Sequence, residues 1–203
     1  MVNLKELCLE ECTFFHLKTL RISGPQLLQL TMLNVVYIYF TTDVPFRLGS
    51  FGLEILAPKV KRLTFKCKLP DDFSQLDLPS LQHADVSVIR QFTSWGIDEG
   101  MTRNVLKLLH GICNAQFLQL SGITVEILAA FPQLLEQQSS SFRRLKSLEL
   151  EVLPNKNYLL ALPGELLAYF LQGSPSAQIK IIDPGDKCRS GTCPYFCSML
   201  LTI

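Results

Sequence analysis

No charge of one sign predominates in this sequence: 19 Lys and Arg stand against 18 Asp and Glu, a formal net charge of +1. That balance argues against a protein built mainly to hold nucleic acid or an anionic membrane, either of which calls for a basic excess. No apolar run reaches the roughly 18 residues of a membrane-spanning helix. The opening MVNLKELCLEECTFF is not a secretion signal, because Glu6, Glu10 and Glu11 stand where its apolar stretch would be. Asn-x-Ser/Thr acceptors are absent. Histidine is scarce, and His16, His83 and His110 have no partner at motif spacing. Gly-x-Gly-x-x-Gly, P-loop, Gly-x-Ser-x-Gly and His-Glu-x-x-His are all missing. No catalytic residue, no cofactor and no enzymatic activity are therefore expected. The 7 cysteines are an odd number, scattered at 8, 12, 67 and 113 and then clustered at 188, 193 and 197. They read as mostly reduced thiols of a cytoplasmic or nuclear protein.

What the chain has in abundance is leucine in a fixed spacing. LRISGPQLLQLTM at 20–32 returns as LEILAPKVKRLTF at 53–65. Leu20 matches Leu53, Ile22 matches Ile55, Pro25 matches Pro58, and Leu30 matches Leu63. Within these segments apolar residues fall as L-x-x-L-x-L, at Leu27, Leu30 and Met32 and at Val60, Leu63 and Phe65. The last two alternate as a strand does, and the first bends the chain into it. The spacing recurs at Leu4-Leu7-Leu9, Leu17-Leu20-Ile22, Leu145-Leu148-Leu150 and Leu118-Leu120 led by Ala115, and more weakly at Leu81-Ala84-Val86. A strand with one apolar face cannot bury that face alone, so such units must stack. The pattern predicts an α/β fold: an irregular leucine-rich-repeat solenoid with parallel strands on its concave side and short helices or loops outside. The copies start at 4, 17, 27, 60, 81, 115, 145 and 177. Gly24-Pro25 and Ala57-Pro58 are expected to turn the chain between two strands on different sides of one unit. The short step from 4 to 17 reads as a missing or shortened unit.

Helices are expected over 101–112, with Thr102 as N-cap and Gly111 at the stop, over 124–131, and over 162–175, stopping at Gly173 and Pro175. Loops are expected at 41–50, 68–80, 90–102, 136–141 and 154–157. One domain spans 1–182. Pro184, Gly185, Gly191 and Pro194 break any regular element beyond it, so residues 183–203 read as a poorly ordered tail. Cys188, Cys193 and Cys197 in that tail supply three thiolates with no local histidine, one short of tetrahedral zinc, and C-x4-C-x3-C is not a standard knuckle. No metal is assigned.

LKELCLEECTF, LKTLRISGPQLLQLTM, FGLEILAPKVKRLTFKCKLPDDFSQLDLPSLQHADV and LLHGICNAQFLQLSGITVEIL resemble the leucine-rich region of plant F-box proteins that carry a C-terminal FBD segment. Ile55, Ala57, Pro58, Val60 and Leu63 form the most family-specific part. The resemblance covers roughly 1–182 and implies the substrate-recognition part of an SCF-type ubiquitin ligase. In that family the F-box docks on the Skp adaptor and the repeats hold the target. These residues contain neither F-box nor FBD segment, so Skp and cullin are expected as partners only if a longer product supplies the F-box. A leucine-rich fragment of another plant protein, such as an immune receptor, is the alternative.

Side chains between the leucines point away from the core and form the candidate protein-binding surface: Glu6, Cys8, Arg21, Arg62, Thr64, Lys66, His83, Asp85, Phe117, Gln119, Ser147 and Glu149. Their mixed sign suits a protein partner rather than nucleic acid or membrane. The acid-free run Lys59, Lys61, Arg62, Lys66, Lys68 reads as a solvated strand edge, with an anionic partner or inositol phosphate as its alternative. Trp95 falls in an expected loop, either as an exposed anchor or partly buried beneath it.

Overall fold

The computed structural model describes residues 3–38, 51–89, 96–151 and 164–182. The chain runs through Glu6–Glu10 (β1), Thr13–Phe15 (β2), Thr19–Ser23 (β3), Gln29–Leu33 (β4), Val36–Ile38 (β5) and Gly52–Leu56 (β6). It continues through Arg62–Cys67 (β7), Asp72–Leu76 (β8), His83–Val88 (β9), Glu99–Gly111 (α1) and Phe117–Leu120 (β10). Gly122–Ala129 (α2), Pro132–Glu136 (α3), Ser147–Glu151 (β11), Gly164–Gly173 (α4) and Gln178–Ile182 (β12) complete it. The fold is α/β. A seven-stranded sheet has the order β1-β4-β7-β9-β10-β11-β12, every neighbouring pair parallel, so its strands enter in chain order. Two smaller parallel sheets, β2-β5 and β3-β6-β8, take up the early part of the chain. From β9 onward helices replace them.

The repeat seen in the sequence is the observed register. Leu20 pairs with Leu53 and Ile22 with Ile55 in the smaller sheet. Leu30 pairs with Leu63 and Met32 with Phe65 in the large one. Gly24-Pro25 and Ala57-Pro58 turn the chain from the smaller sheet to the large one, as their position between the strand patterns indicated. In five of the copies the first apolar residue closes a hydrogen-bonded turn just ahead of its strand. Leu27 N–H donates to Gly24 C=O, Val60 to Ala57, Leu81 to Leu78, Ala115 to Ile112 and Ala177 to Ser174, each at 3.0–3.1 Å. At Leu145 the corresponding N–H donates instead to Ser174 Oγ at 3.1 Å.

Alternate residues of the large sheet face inward as two ladders. One is Leu7, Leu30, Leu63, Ala84, Leu118, Leu148 and Ile179; the other is Leu9, Met32, Phe65, Val86, Leu120 and Leu150, with Ile181 of the last strand in the same row but 57% exposed. Their middle members are buried, with Leu30 at 0% and Leu63 at 2% exposure. Each such side chain contributes about 1.5–3 kcal/mol of burial free energy. Buried hydroxyls tie the helices down: Thr102 donates to Ile127 C=O at 2.9 Å, and Thr124 accepts from Val88 N–H at 3.0 Å.

Several expectations need correction. The step from 4 to 17 is no missing unit: β1, β2 and β3 follow one another into three different sheets. The expected loop at 68–80 contains β8, which extends the smaller sheet. Thr102 is not the cap of α1. Asp98 is, its Oδ1 accepting from Met101 N–H at 2.7 Å, and α1 begins at Glu99, inside the expected 90–102 loop. Pro132–Glu136 forms a short helix, α3, that extends to the start of the expected 136–141 loop. The expected loops at 41–50 and 154–157, Trp95 and the 183–203 tail with Cys188, Cys193 and Cys197 lie outside the described residues.

Candidate functional site

Because side chains alternate across a strand, the register that sends leucines inward sends the intervening residues outward in level rows. One row reads Glu6, Gln29, Arg62, His83, Phe117, Ser147, Gln178; the next reads Cys8, Thr31, Thr64, Asp85, Gln119, Glu149, Lys180. The middle of this face is a depression of about 290 Å³ lined by Arg62, Thr64, His83, Asp85, Phe117, Gln119, Ser147 and Glu149 together with backbone neighbours. All eight were singled out by their position between leucines. Lys66 stands beside them, its Nζ 2.8 Å from Asp85 Oδ2. Glu6 is on the same face but two strands away, beyond β4.

Arg21 does not join this group. It lies in β3 of the smaller sheet, opposite its register partner Glu54, with which it forms an ion pair. Ser74 donates to the other Glu54 oxygen at 3.0 Å. The hydrogen bond from Arg21, and then that from Ser74, holds the Glu54 carboxyl below its ordinary range, and Glu54 in turn raises the Arg21 guanidinium. The L-x-x-L-x-L spacing marks strands of both sheets alike, so spacing alone could not separate Arg21 from Arg62.

The centre of the depression is aromatic. His83 and Phe117 are register partners whose rings stack with centroids 4.6 Å apart and planes 11° from parallel. Phe117 is nevertheless 40% exposed. Around the pair the polar groups are held: Gln119 Nε2 donates to Glu151 Oε1 at 3.0 Å, and Lys180 Nζ lies 3.5 Å from Glu149 Oε1. Gln29, Thr31, Glu151, Gln178 and Lys180 belong to this face but were missed. The same between-the-leucines rule, applied to the copies starting at 27 and 145, finds Gln29, Thr31 and, one step past Leu150, Glu151; counted from 177 it would set Lys180 at a leucine position, and only the pairing with β11 turns Gln178 and Lys180 outward.

A second depression, about 400 Å³, lies between β8 and α1 and includes Ser74, Lys107 and His110. These polar groups already have partners: Ser74 with Glu54, Lys107 with Asp72 at 3.7 Å, and His110 Nδ1 with Ser141 Oγ at 2.9 Å. Among the described residues no three His, Cys, Asp or Glu side chains converge as a metal site would require, and no helix is long and apolar enough to cross a membrane. Cys8, Cys12, Cys67 and Cys113 are free thiols.

The geometry thus defines an α/β protein with an outward-facing, aromatic-centred depression on a parallel sheet. No family model matches the chain, and neither the curated proteins nor the solved structures contain a significant match to it.

Proposed function

We propose that the chain is a leucine-rich-repeat solenoid, with the large sheet on its concave side, that acts as a protein–protein interaction module in the cytoplasm or nucleus. The observation that carries this reading is the depression over β7, β9, β10 and β11. It gathers an exposed, stacked aromatic pair and side chains of both signs at one place. Protein-recognition surfaces concentrate binding energy in such a rigid aromatic centre and use a mixed polar rim for selectivity. The chain-order parallel sheet, with one hydrogen-bonded corner before nearly every strand, supports a repeat architecture. Combined with the resemblance to plant F-box proteins, this supports reading the chain as the target-recognition part of an SCF-type ubiquitin ligase. The Skp adaptor and cullin would join only through an F-box supplied by a longer product.

The test is affinity purification from plant extract with the tagged chain and its Phe117→Ala variant, read by quantitative mass spectrometry. The expected result is a protein retained by the unaltered chain and depleted with the variant. Equal recovery of every retained protein on both baits would overturn the reading.

A further inference from the structure

The residual charges around Phe117 have a direction. Arg62 is exposed and forms no ion pair among the described residues. Asp85, the next charge across the sheet, is held by Lys66 at 2.8 Å. On the far side of Phe117, Glu149 is paired with Lys180 at 3.5 Å, a partner whose own side chain is 68% exposed and can be displaced by an incoming base. The depression therefore presents a cation at one end, an aromatic ring at the centre and, at the other end, a carboxylate whose partner is an exposed lysine. His83 covers one side of the Phe117 ring and fixes it, so an incoming side chain meets a preorganised surface.

We propose that this depression binds an extended segment of a protein partner bearing an acidic, then an aromatic, then a basic side chain, laid across the strands over Arg62, Phe117 and Glu149. The proposal rests on the reading of this face as the partner surface. Strand spacing sets the separations. Arg62 and Phe117 are level and two strands apart, about 10 Å, which an extended chain covers in about three residues. Glu149 is one strand further and two residues along, about 8 Å from Phe117, or two to three residues. The aromatic side chain supplies most of the affinity, and the two charges fix which way round the segment lies.

Selection of a phage-displayed random dodecapeptide library on the full chain tests this. Enriched peptides are expected to carry an acid about three positions from an aromatic residue and a base two or three positions beyond it, in either chain direction. As synthetic peptides they should bind roughly tenfold more weakly to Phe117→Ala, as a centrally placed aromatic anchor implies. Binding should also fall with Arg62→Glu and recover when the peptide acid is replaced by lysine. Peptides lacking this pattern that still depend on Phe117 would overturn the proposal and leave the interaction face standing. Peptides indifferent to both variants would overturn the two together. No enrichment over an unloaded support would overturn the linear-segment proposal, while the purification experiment would still decide whether the face holds a folded partner.

Discussion

His83 and Phe117 lie opposite each other on neighbouring parallel strands, 4.6 Å between ring centroids, although they are far apart in sequence. The pairing follows from the two leucine ladders beneath. Ala84 and Leu118 must meet inside, so the residue preceding each must meet outside. Such a pair adds about 0.5–1.5 kcal/mol beyond its buried area, too little to hold the fold but enough to hold a ring still for a partner.

The same register predicts opposite outcomes for adjacent residues. Leu63 is buried against Leu30, whereas Arg62 is exposed. An unpaired carboxylate at 63 costs several kcal/mol, and lost apolar burial adds about 2 kcal/mol. Against a typical stability of about 5–15 kcal/mol, Leu63→Asp should unfold or aggregate the chain. Arg62→Asp should leave the thermal midpoint nearly unchanged. Melts of the two variants by circular dichroism check this.

Glu11 and Asn34 occupy matching corners after β1 and β4, and both have a left-handed backbone, with φ of 50°. Their N–H groups make matching bonds, to Leu33 C=O and to Lys66 C=O, each 2.9 Å. Asparagine tolerates this conformation better than glutamate does. Glu11→Asn should therefore raise stability by up to about 1 kcal/mol, measured by urea denaturation. A loss would show that the Glu11 side chain has a role of its own.

Gly173 ends α4 where a Cβ would collide with Phe142 C=O, whereas a Cβ on Gly164 at the start of the helix meets nothing within 4 Å. Gly173→Ala should destabilise by about 1–3 kcal/mol through overpacking. Gly164→Ala should be neutral or stabilising by up to about 1 kcal/mol. Denaturant midpoints for the pair separate close approach from helix propensity.

Burial pushes the Cys67 thiol up to about 11 and the Tyr169 hydroxyl up to about 12. A raised folded value means the contribution to stability is complete below the unfolded value and is lost as pH rises toward the folded one. The unfolded thiol ionises near pH 8.5. Stability should therefore decline between about pH 8.5 and 11 with a slope approaching about 1.4 kcal/mol per unit from Cys67, with Tyr169 adding to it above about pH 10. Denaturant titrations across this range should show the decline, and Cys67→Ala should reduce its lower part, the rest coming from Cys113, whose thiol burial also raises.

Much of this structure was legible because leucine spacing and register are one pattern: a repeated segment at 20–32 and 53–65 already states which residues pair. The short strands β2 and β5 have three residues each, too few for a period to show. β8 escaped because its buried and exposed residues do not alternate strictly. Thr102 resembled a cap, but Asp98 four residues earlier offers an acceptor at the right place, and Thr102 is drawn inside by Ile127 C=O. The middle of the face, over β7, β9, β10 and β11, was legible from the spacing, whereas Gln29 and Thr31 of β4, Glu151 of β11 and Gln178 and Lys180 of β12 were not picked out. Arg21 was misplaced because a strand of the smaller sheet carries the same spacing as one of the large sheet.

On the proposed reading the large-sheet face, and not the smaller sheet, holds the partner. The direct measurement is the affinity of the protein recovered by purification for the unaltered chain, for Arg62→Asp, for Phe117→Ala and for Arg21→Ala, by calorimetric titration. Arg62→Asp and Phe117→Ala should each weaken binding about tenfold or more, as hot-spot losses do, while Arg21→Ala leaves it unchanged. Binding lost with Arg21→Ala and kept by the other two would contradict the account.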